Sequence, residues 1–343
     1  MNFQTIDIQT LTLFIQNNYL ANDDDTFQLY YTIDIIEWSL NESSIIIGLF
    51  DNTILIGTIT ASPITCVIRG QIHKLSEINY LCLDKKYRTI GNARILIEEI
   101  AKMSQQIDYP IGFFTGAHTY KIYNNFSKIQ FYHRLINIEK LIKNDFTSID
   151  MKEEQLSEIE QYYGTIYPKY ITTYNFILLT NNDFDLIKDV YELYINNYKQ
   201  HNYEFYQLYS YDEFYTLLSN KIAYTYLIYD SDKLFDFVTF YVMPQKNVNT
   251  QENINCCFIF AYTDNIISIQ SMYTHLLYNI YMTPSFDIDV MTLTNIMNYD
   301  KIINDPIFKI DKGTGHLYYN LYSFIEYAKI EPIEPQNIAR MTI

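Results

Sequence analysis

Two hydrophobic rhythms alternate along the chain. Short runs rich in β-branched and aromatic residues occur at 44–49 (SIIIGL), 53–60 (TILIGTIT), 64–69 (ITCVIR) and 76–83 (SEINYLCL). Bounded by polar turns, such runs predict strands. Ala93, Leu96, Ile97, Ile100 and Met103 then recur at three- and four-residue spacing, which sets one apolar stripe along a helix. Another strand is predicted over 111–114, followed by an FYHR segment at 131–134. From 151 the text turns acidic and polar (MKEEQLSEIEQYYGTIYP), which predicts a connection between two halves, 1–150 and 151–343. Beyond it the order partly recurs. A helix is predicted over 182–198, strands over 224–229, 235–242 and 256–263, and a helix over 268–281. A long helix or turn region near 293–305 leads to GTGHLYYNLYSF. No residue-level repeat is present, only a similar order of elements. The expectation is a mixed α/β fold, in which two halves share one sheet or groove.

Composition narrows the function. With 48% hydrophobic and 19% charged residues the chain belongs among globular proteins. Its 35 tyrosines reflect an A+T-rich coding bias and are expected in core and interface positions. A net charge of −16 repels phosphate backbones, so nucleic acid is excluded as a partner and basic peptides are favoured. Cys66, Cys82, Cys256 and Cys257 show neither metal-ligand spacing nor a disulfide framework, and the six histidines stand singly, so no metal is expected. No apolar run is long enough to span a bilayer, and MNFQTIDIQT has no signal-peptide character. A reducing cytoplasmic setting is expected, the host cytoplasm if the source is a virus. With Asn at position 2, the chain is not itself a substrate for N-myristoylation.

The stretch 77–94, EINYLCLDKKYRTIGNAR, passes from strand through a basic turn to a helix start. Such a junction exposes backbone N–H groups with the positive end of the helix dipole behind them, a ready site for phosphates. Arg88-x-x-Gly91-x-Ala93 also fits the R-x-x-G-x-A/G pattern of GNAT-type acyltransferases, which hold the pyrophosphate of an acyl-CoA there. The wider segment resembles the E-I-N-F-L-C-V-H-K-K-L-R signature of protein N-myristoyltransferases, a family built from two GNAT-like halves. Further likenesses follow in order. Tyr19 to Phe27 (YLANDDDTF) is similar to Y-V-E-D-D-D-N-M-F, and Ile36 to Leu40 to L-L-W-A-L. Ile56 to Pro63 is similar to V-G-F-I-S-A-I-P, and Phe114-Thr115-Gly116-Ala117 to Y-T-A-G. Tyr132-His133-Arg134 with Asn137 follows Y-H-R-S-L-N. Asp236 to Pro244 resembles T-D-F-L-S-F-Y-T-L-P, and Gly313 to Tyr322 resembles G-D-G-N-L-Q-Y-Y-L-Y.

The resemblance covers about residues 19–343 and implies two GNAT-like halves in pseudo-twofold arrangement. The first would bind the acyl donor and the second the acceptor peptide. The implied reaction moves a fatty acyl group, myristoyl above all, from acyl-CoA to the N-terminal glycine amine of a protein. In the family the CoA and thioester are held by the segment matching Tyr80, Leu81, Cys82, Leu83, Arg88, Thr89, Ile90, Gly91, Asn92 and Ala93. Backbone N–H groups matching Tyr80 and Leu81 hold the oxyanion, and Asn79 and Thr115 match residues that position the amine and relay its proton. The base is the C-terminal α-carboxylate, here that of Ile343. Asp23, Asp24 and Asp25, with Tyr19, Phe27, Tyr132 and His133, would hold the peptide, including a basic residue several positions in. A monomer is expected.

Departures from the family pattern are visible. Two basic side chains of its R-S-K-R are absent, Lys85, Lys86, Arg88 and Arg94 being the cations at hand to compensate. Thr314 replaces the carboxylate of G-D-G-N, and the histidine of F-Y-N-V-H-T has no counterpart in Phe260–Asp264. The N-terminal K-F-W-x-T-Q-P-V-P segment that folds over the donor in the family has no match from residue 1 onward, and a donor site without it is the expectation. An N-acyltransferase using a shorter acyl-CoA, and a non-catalytic acyl-CoA or peptide binder, therefore remain alternatives.

Overall fold

Most of the predicted strands pair into one continuous sheet. The computed structural model describes residues 1–19, 26–88, 91–119, 124–147, 156–164, 172–180, 183–323 and 330–341. The first half runs β1 (Asn2–Thr5), α1 (Ile8–Asn18), β2 (Phe27–Leu29), α2 (Ile33–Ser39), β3 (Ile45–Asp51), β4 (Ile54–Ile68), β5 (Gln71–Leu83), α3 (Asn92–Gln106), β6 (Ile111–Gly116), β7 (Asn124–Leu135) and α4 (Ile138–Lys143). The second half opens with α5 (Leu156–Gly164), β8 (Asn175–Leu178), α6 (Ile187–Gln200), β9 (Phe205–Gln207) and α7 (Tyr211–Leu218). It continues with β10 (Ala223–Asp230), β11 (Lys233–Asn247), β12 (Asn253–Tyr262), α8 (Ile269–Met282), β13 (Val290–Thr294), α9 (Asp300–Ile303), β14 (Asp311–Ser323) and β15 (Ile338–Ala339).

The centre of the sheet has the order β3-β4-β5-β6-β14-β7-β13-β12-β11-β10, which is nearly palindromic. In one half β3/β4 and β4/β5 are antiparallel, while β5/β6 is parallel across α3. In the other, β10/β11 and β11/β12 are antiparallel and β12/β13 is parallel across α8. The closing strands are exchanged. β14 lies beside β6, β7 beside β13, and the two pair with each other at the centre. Two GNAT-like units therefore share one sheet around a pseudo-twofold axis between β7 and β14.

Packing follows the patterns in the chain. Leu96, Ile100 and Ala101 of α3 are buried, and Leu96 and Ile100 pack with Ile47, Leu49, Ile56 and Ile59 of β3 and β4. A larger core runs continuously from Leu11 of α1 to Ile338 of β15 and includes both halves. Trp38 of α2 lies in it, tilted against Tyr241 and Phe260 at 5.0 and 5.7 Å, with its indole N–H donating to the Leu217 carbonyl at 3.0 Å.

Some elements differ from the sequence expectation. The runs 53–60 and 64–69 are one strand, β4, with Pro63 inside it. Pro63 fits because β3 leaves β4 after Ala61 and β9 joins only at Cys66, so there the strand has a ladder neighbour on one side. The helix expected over 182–198 begins at Ile187, the polar connection contains α5, and 293–305 is the end of β13 plus the single turn of α9. The apolar residues of 290–303 are buried from several directions, which hides the strand period.

Candidate active site

The centre of the site is a defect in β5. Thr58 pairs with Cys82 and Thr60 with Asn79, so Tyr80 and Leu81 both face Ile59, and Tyr80 takes φ 53°. This is a β-bulge, one extra residue that bends its strand and interrupts the ladder. The carbonyls it turns out of register are satisfied from β4: the Thr60 hydroxyl donates to Asn79 O and the Thr58 hydroxyl to Tyr80 O, each at 3.1 Å. The Tyr80 side chain is anchored by a 2.6 Å hydroxyl contact with Ser39 and by edge packing on Tyr31 at 5.2 Å. Leu81, 37% exposed, points outward. Pairing of β5 with β6 runs from Leu75↔Ile111 to Glu77↔Phe113, although both strands continue beyond. The two parallel strands therefore part at their carboxyl ends. Asn79 and Thr115, each two residues past the last pair, stand level on either side of the split, both half-buried.

Beyond the bulge the chain turns into α3. Asp84 caps a 3-10 turn over Lys85–Tyr87, its carboxylate accepting from the Lys86 N–H at 2.8 Å. Gly91 begins α3 at φ 115°, where an L side chain is strained although no atom would obstruct a Cβ. Gly91, the N-cap of α3, has no side chain to cap the helix, and the N-terminal end of a helix attracts anions. Asn92 is instead turned back, its amide donating to Tyr87 O at 2.7 Å. The neighbouring cations are partly engaged. Arg88 donates to Leu83 O at 3.1 Å and to Asn18 O at 2.5 Å, while Arg94 pairs with Glu98 at 2.6 Å. Thr89 and Ile90 lie outside the described residues.

The peptide-side residues fall into two groups. Tyr19 packs edge-on to Tyr31 at 5.8 Å, and Tyr31 on Tyr80, which links the end of α1 to the bulge. Phe27 packs on Phe146 at 5.3 Å, and Phe146 on His133 at 5.6 Å. Burial pushes the His133 imidazole down to about 4, and its Nδ1 lies 3.2 Å from the Thr292 hydroxyl. Gly313 explains itself here, since a Cβ would come within 2.6 Å of the His133 ring. Tyr132 lies between β13 and β14, opposite Leu293 and Lys312. Asp23, Asp24 and Asp25 lie outside the described residues.

The end of the chain returns to the split. β15 pairs in parallel with β9, and Ile338 and Ala339 are buried. Arg340 is 7% exposed, and its guanidinium donates to the Glu77 carboxylate and lies 5.4 Å from the centre of the Phe113 ring. Burial opposes the charge on Arg340, but Glu77 is the chief counterweight and the guanidinium is held above its ordinary value. The carbonyl of Arg340 accepts from the Tyr319 hydroxyl at 2.7 Å, and Tyr319 is the register partner of Thr115. Residue 340 is thus fixed on the face of the sheet that carries Glu77, Phe113 and Thr115. Ile343 lies outside the described residues. Glu77, Tyr319 and Arg340 carried no assignment from the sequence; the signal was a carboxylate in an apolar strand and an arginine in an apolar tail.

Burial raises all four cysteine thiols, those of Cys66, Cys82 and Cys256 to about 12, so none is a ready nucleophile. Among the described residues no three His, Cys, Asp or Glu side chains are grouped to hold a metal, and no helix is long and apolar enough to cross a membrane.

The doubled sheet, the split parallel strands and the glycine-led helix after them define a class, the GNAT-type acyltransferase fold. A GCN5-related N-acetyltransferase from Anabaena variabilis superposes with a TM-score of 0.54 at 14% identity, over 93% of this chain and 72% of that one. Saccharomyces cerevisiae N-myristoyltransferase with bound myristoyl-CoA superposes with a TM-score of 0.81 at 19% identity, over 100% of this chain and 85% of that one. The family model for the N-terminal domain of myristoyl-CoA:protein N-myristoyltransferase matches residues 2–122. A glycylpeptide N-tetradecanoyltransferase of Plasmodium falciparum is 25% identical over 90% of this chain and 74% of its own length. One of Kluyveromyces lactis is 28% identical over 71% of this chain and 54% of its own length. The chain is thus similar to N-myristoyltransferases in sequence along most of its length and in fold throughout.

Proposed function

We propose that this protein transfers a myristoyl group from myristoyl-CoA to the N-terminal glycine amine of protein substrates. The observation that carries the reading is the placement of residue 340 on the Asn79–Thr115 face of the split, beside the β5 bulge. The donor pyrophosphate would lie against the first N–H groups of α3, with Gly91 allowing close approach and the Leu83–Ala93 segment around it. The acceptor peptide would run along the second half past Tyr19, Phe27, Tyr132 and His133, a basic residue meeting Asp23–Asp25.

The thioester carbonyl would sit at the bulge, where the backbone N–H groups of Tyr80 and Leu81 face the developing oxyanion. Donors placed in this way each lower such a barrier by about 3 kcal/mol. The α-carboxylate of Ile343 would take a proton from the glycine ammonium, with Asn79 and Thr115 orienting the amine. In water that transfer runs uphill from a pKa near 8 to one near 3.5. A dry pocket raises the carboxyl and lowers the ammonium, which narrows the gap. The amine then attacks the carbonyl, the C–S bond breaks, and the departing CoA sulfur takes up the proton that the new amide nitrogen loses. Buried thiols with raised pKa favour this direct attack over an acyl-enzyme.

The test incubates the full chain with myristoyl-CoA and a glycine-initiated, lysine-containing octapeptide, with acylation read by mass spectrometry. One residue added after Ile343 is expected to abolish turnover and leave donor binding in place; unchanged turnover overturns the base assignment. Donors of shorter chain length separate the alternatives. Each buried methylene adds about 0.8 kcal/mol, so affinity should climb steeply toward fourteen carbons. A flat series supports a shorter physiological donor.

A further inference from the structure

The strands, the bulge and the helix start are all accounted for by the reaction above, but the buried ion pair between Glu77 and Arg340 is not. It joins residues 263 apart in sequence, and the side chains are 10% and 5% exposed. Its bonding is incomplete, since Nε and Nη1 of Arg340 have no hydrogen-bond partner among the described residues. Burying two charges is expensive, and a well-packed apolar pair of the same volume is often more stable. Stability alone therefore does not explain a guanidinium at this place, and its location does. Glu77 forms the last register pair between β5 and β6, with Phe113, and Asn79 follows two residues on. Phe113 lies under the guanidinium, and Tyr319, opposite Thr115, holds the Arg340 carbonyl. The side chain is fixed to β5, one of the strands that part at the site, and the backbone carbonyl to β14, the neighbour of the other.

We infer that Glu77 and Arg340 form a positioning pair, which ties residue 340 to the strand carrying Asn79 and the bulge and so fixes the point beside the split from which the tail of the chain departs. The inference rests on the acyl-transfer reading proposed above. Neither residue touches the reacting atoms. Their work is to fix one end of the tail to the same strand that holds the thioester, so that base and oxyanion donors keep one geometry. Misplacement by about 1 Å can lower a rate on the order of 10²-fold.

The experiment compares Glu77→Gln, Arg340→Met and the double variant with the parent chain. Turnover, donor affinity by calorimetry, thermal midpoint, and trimming by carboxypeptidase Y read by mass spectrometry are measured on each. Each single variant should lose turnover on the order of 10²-fold with donor affinity unchanged, and trimming should run past Met341 into β15, where the parent resists. The double variant has no lone buried charge, so its thermal midpoint should return toward the parent value while turnover stays low. Parental turnover in the single variants overturns the inference, as does a double variant that recovers turnover together with stability. A parent chain that acylates no peptide overturns the proposed reaction instead, and the trimming pattern then decides whether the pair holds the tail.

Discussion

At the scale of single residues, backbone and side chain carry different duties. Tyr80 supplies its main chain to the bulge, while its hydroxyl contacts Ser39 and its ring packs on Tyr31. Tyr80→Phe should therefore cost about 1 kcal/mol of stability in a urea melt and leave turnover with a saturating donor unchanged. His133 carries a pH signature. Its imidazole, ordinarily near 6.5, is pushed by burial to about 4, so in the folded chain it stays neutral where the unfolded chain has already taken up a proton. The stability this represents is complete above pH 6.5 and is lost as pH falls toward 4, by up to about 3 kcal/mol. Urea melts at pH 7 and pH 4.5 should show that loss, and His133→Gln should make it smaller. No titration of His133 should appear in a pH–turnover profile between pH 6 and 8.

Element geometry explains why strand, bulge and helix stand together. A regular β5 would keep its ladder with β4 unbroken past Asn79; the extra residue interrupts the ladder until Cys82 and bends the strand where it parts from β6. Thr58 and Thr60 make the defect tolerable by satisfying the two displaced carbonyls. Gly91 does the corresponding work at the start of α3. With φ at 115° and free space around the missing Cβ, its requirement is conformational and not one of packing. Gly91→Ala should cost about 1–2 kcal/mol and weaken acyl-CoA binding more than acceptor binding, both measurable by calorimetry. Equal loss of the two affinities would place the strain elsewhere.

For the whole molecule, the exchange of closing strands joins the halves into one folding problem. β14 fills the place between β6 and β7, so residues 1–150 alone would expose the edges of both. Trp38, the single tryptophan, lies in the first half and packs on Tyr241 and Phe260 of the second, which makes its fluorescence a probe of their contact. Unfolding in urea should give one transition, with coincident midpoints by Trp38 fluorescence and far-ultraviolet circular dichroism. Two separated midpoints would show that the halves fold independently.

The strands around the bulge, α3 and the strand–turn–helix junction were legible in the sequence because each depends on periodicity and on local residues, Gly91 among them. The order of motifs carried the likeness to N-myristoyltransferases as well. The bulge at Tyr80 was not legible, since a run such as EINYLCL has the same strand pattern with or without one extra residue. β4 was divided because Pro63 marks a break wherever a strand has neighbours on both sides, and only the sheet order shows that one side there is open. The pairing of Glu77 with Arg340, the hold of Tyr319 on the tail and the exchange of β7 with β14 join segments far apart along the chain. Local propensity contains no term for contacts of that kind. They exist only once the sheet has closed and brought the last residues back to the first parallel pair.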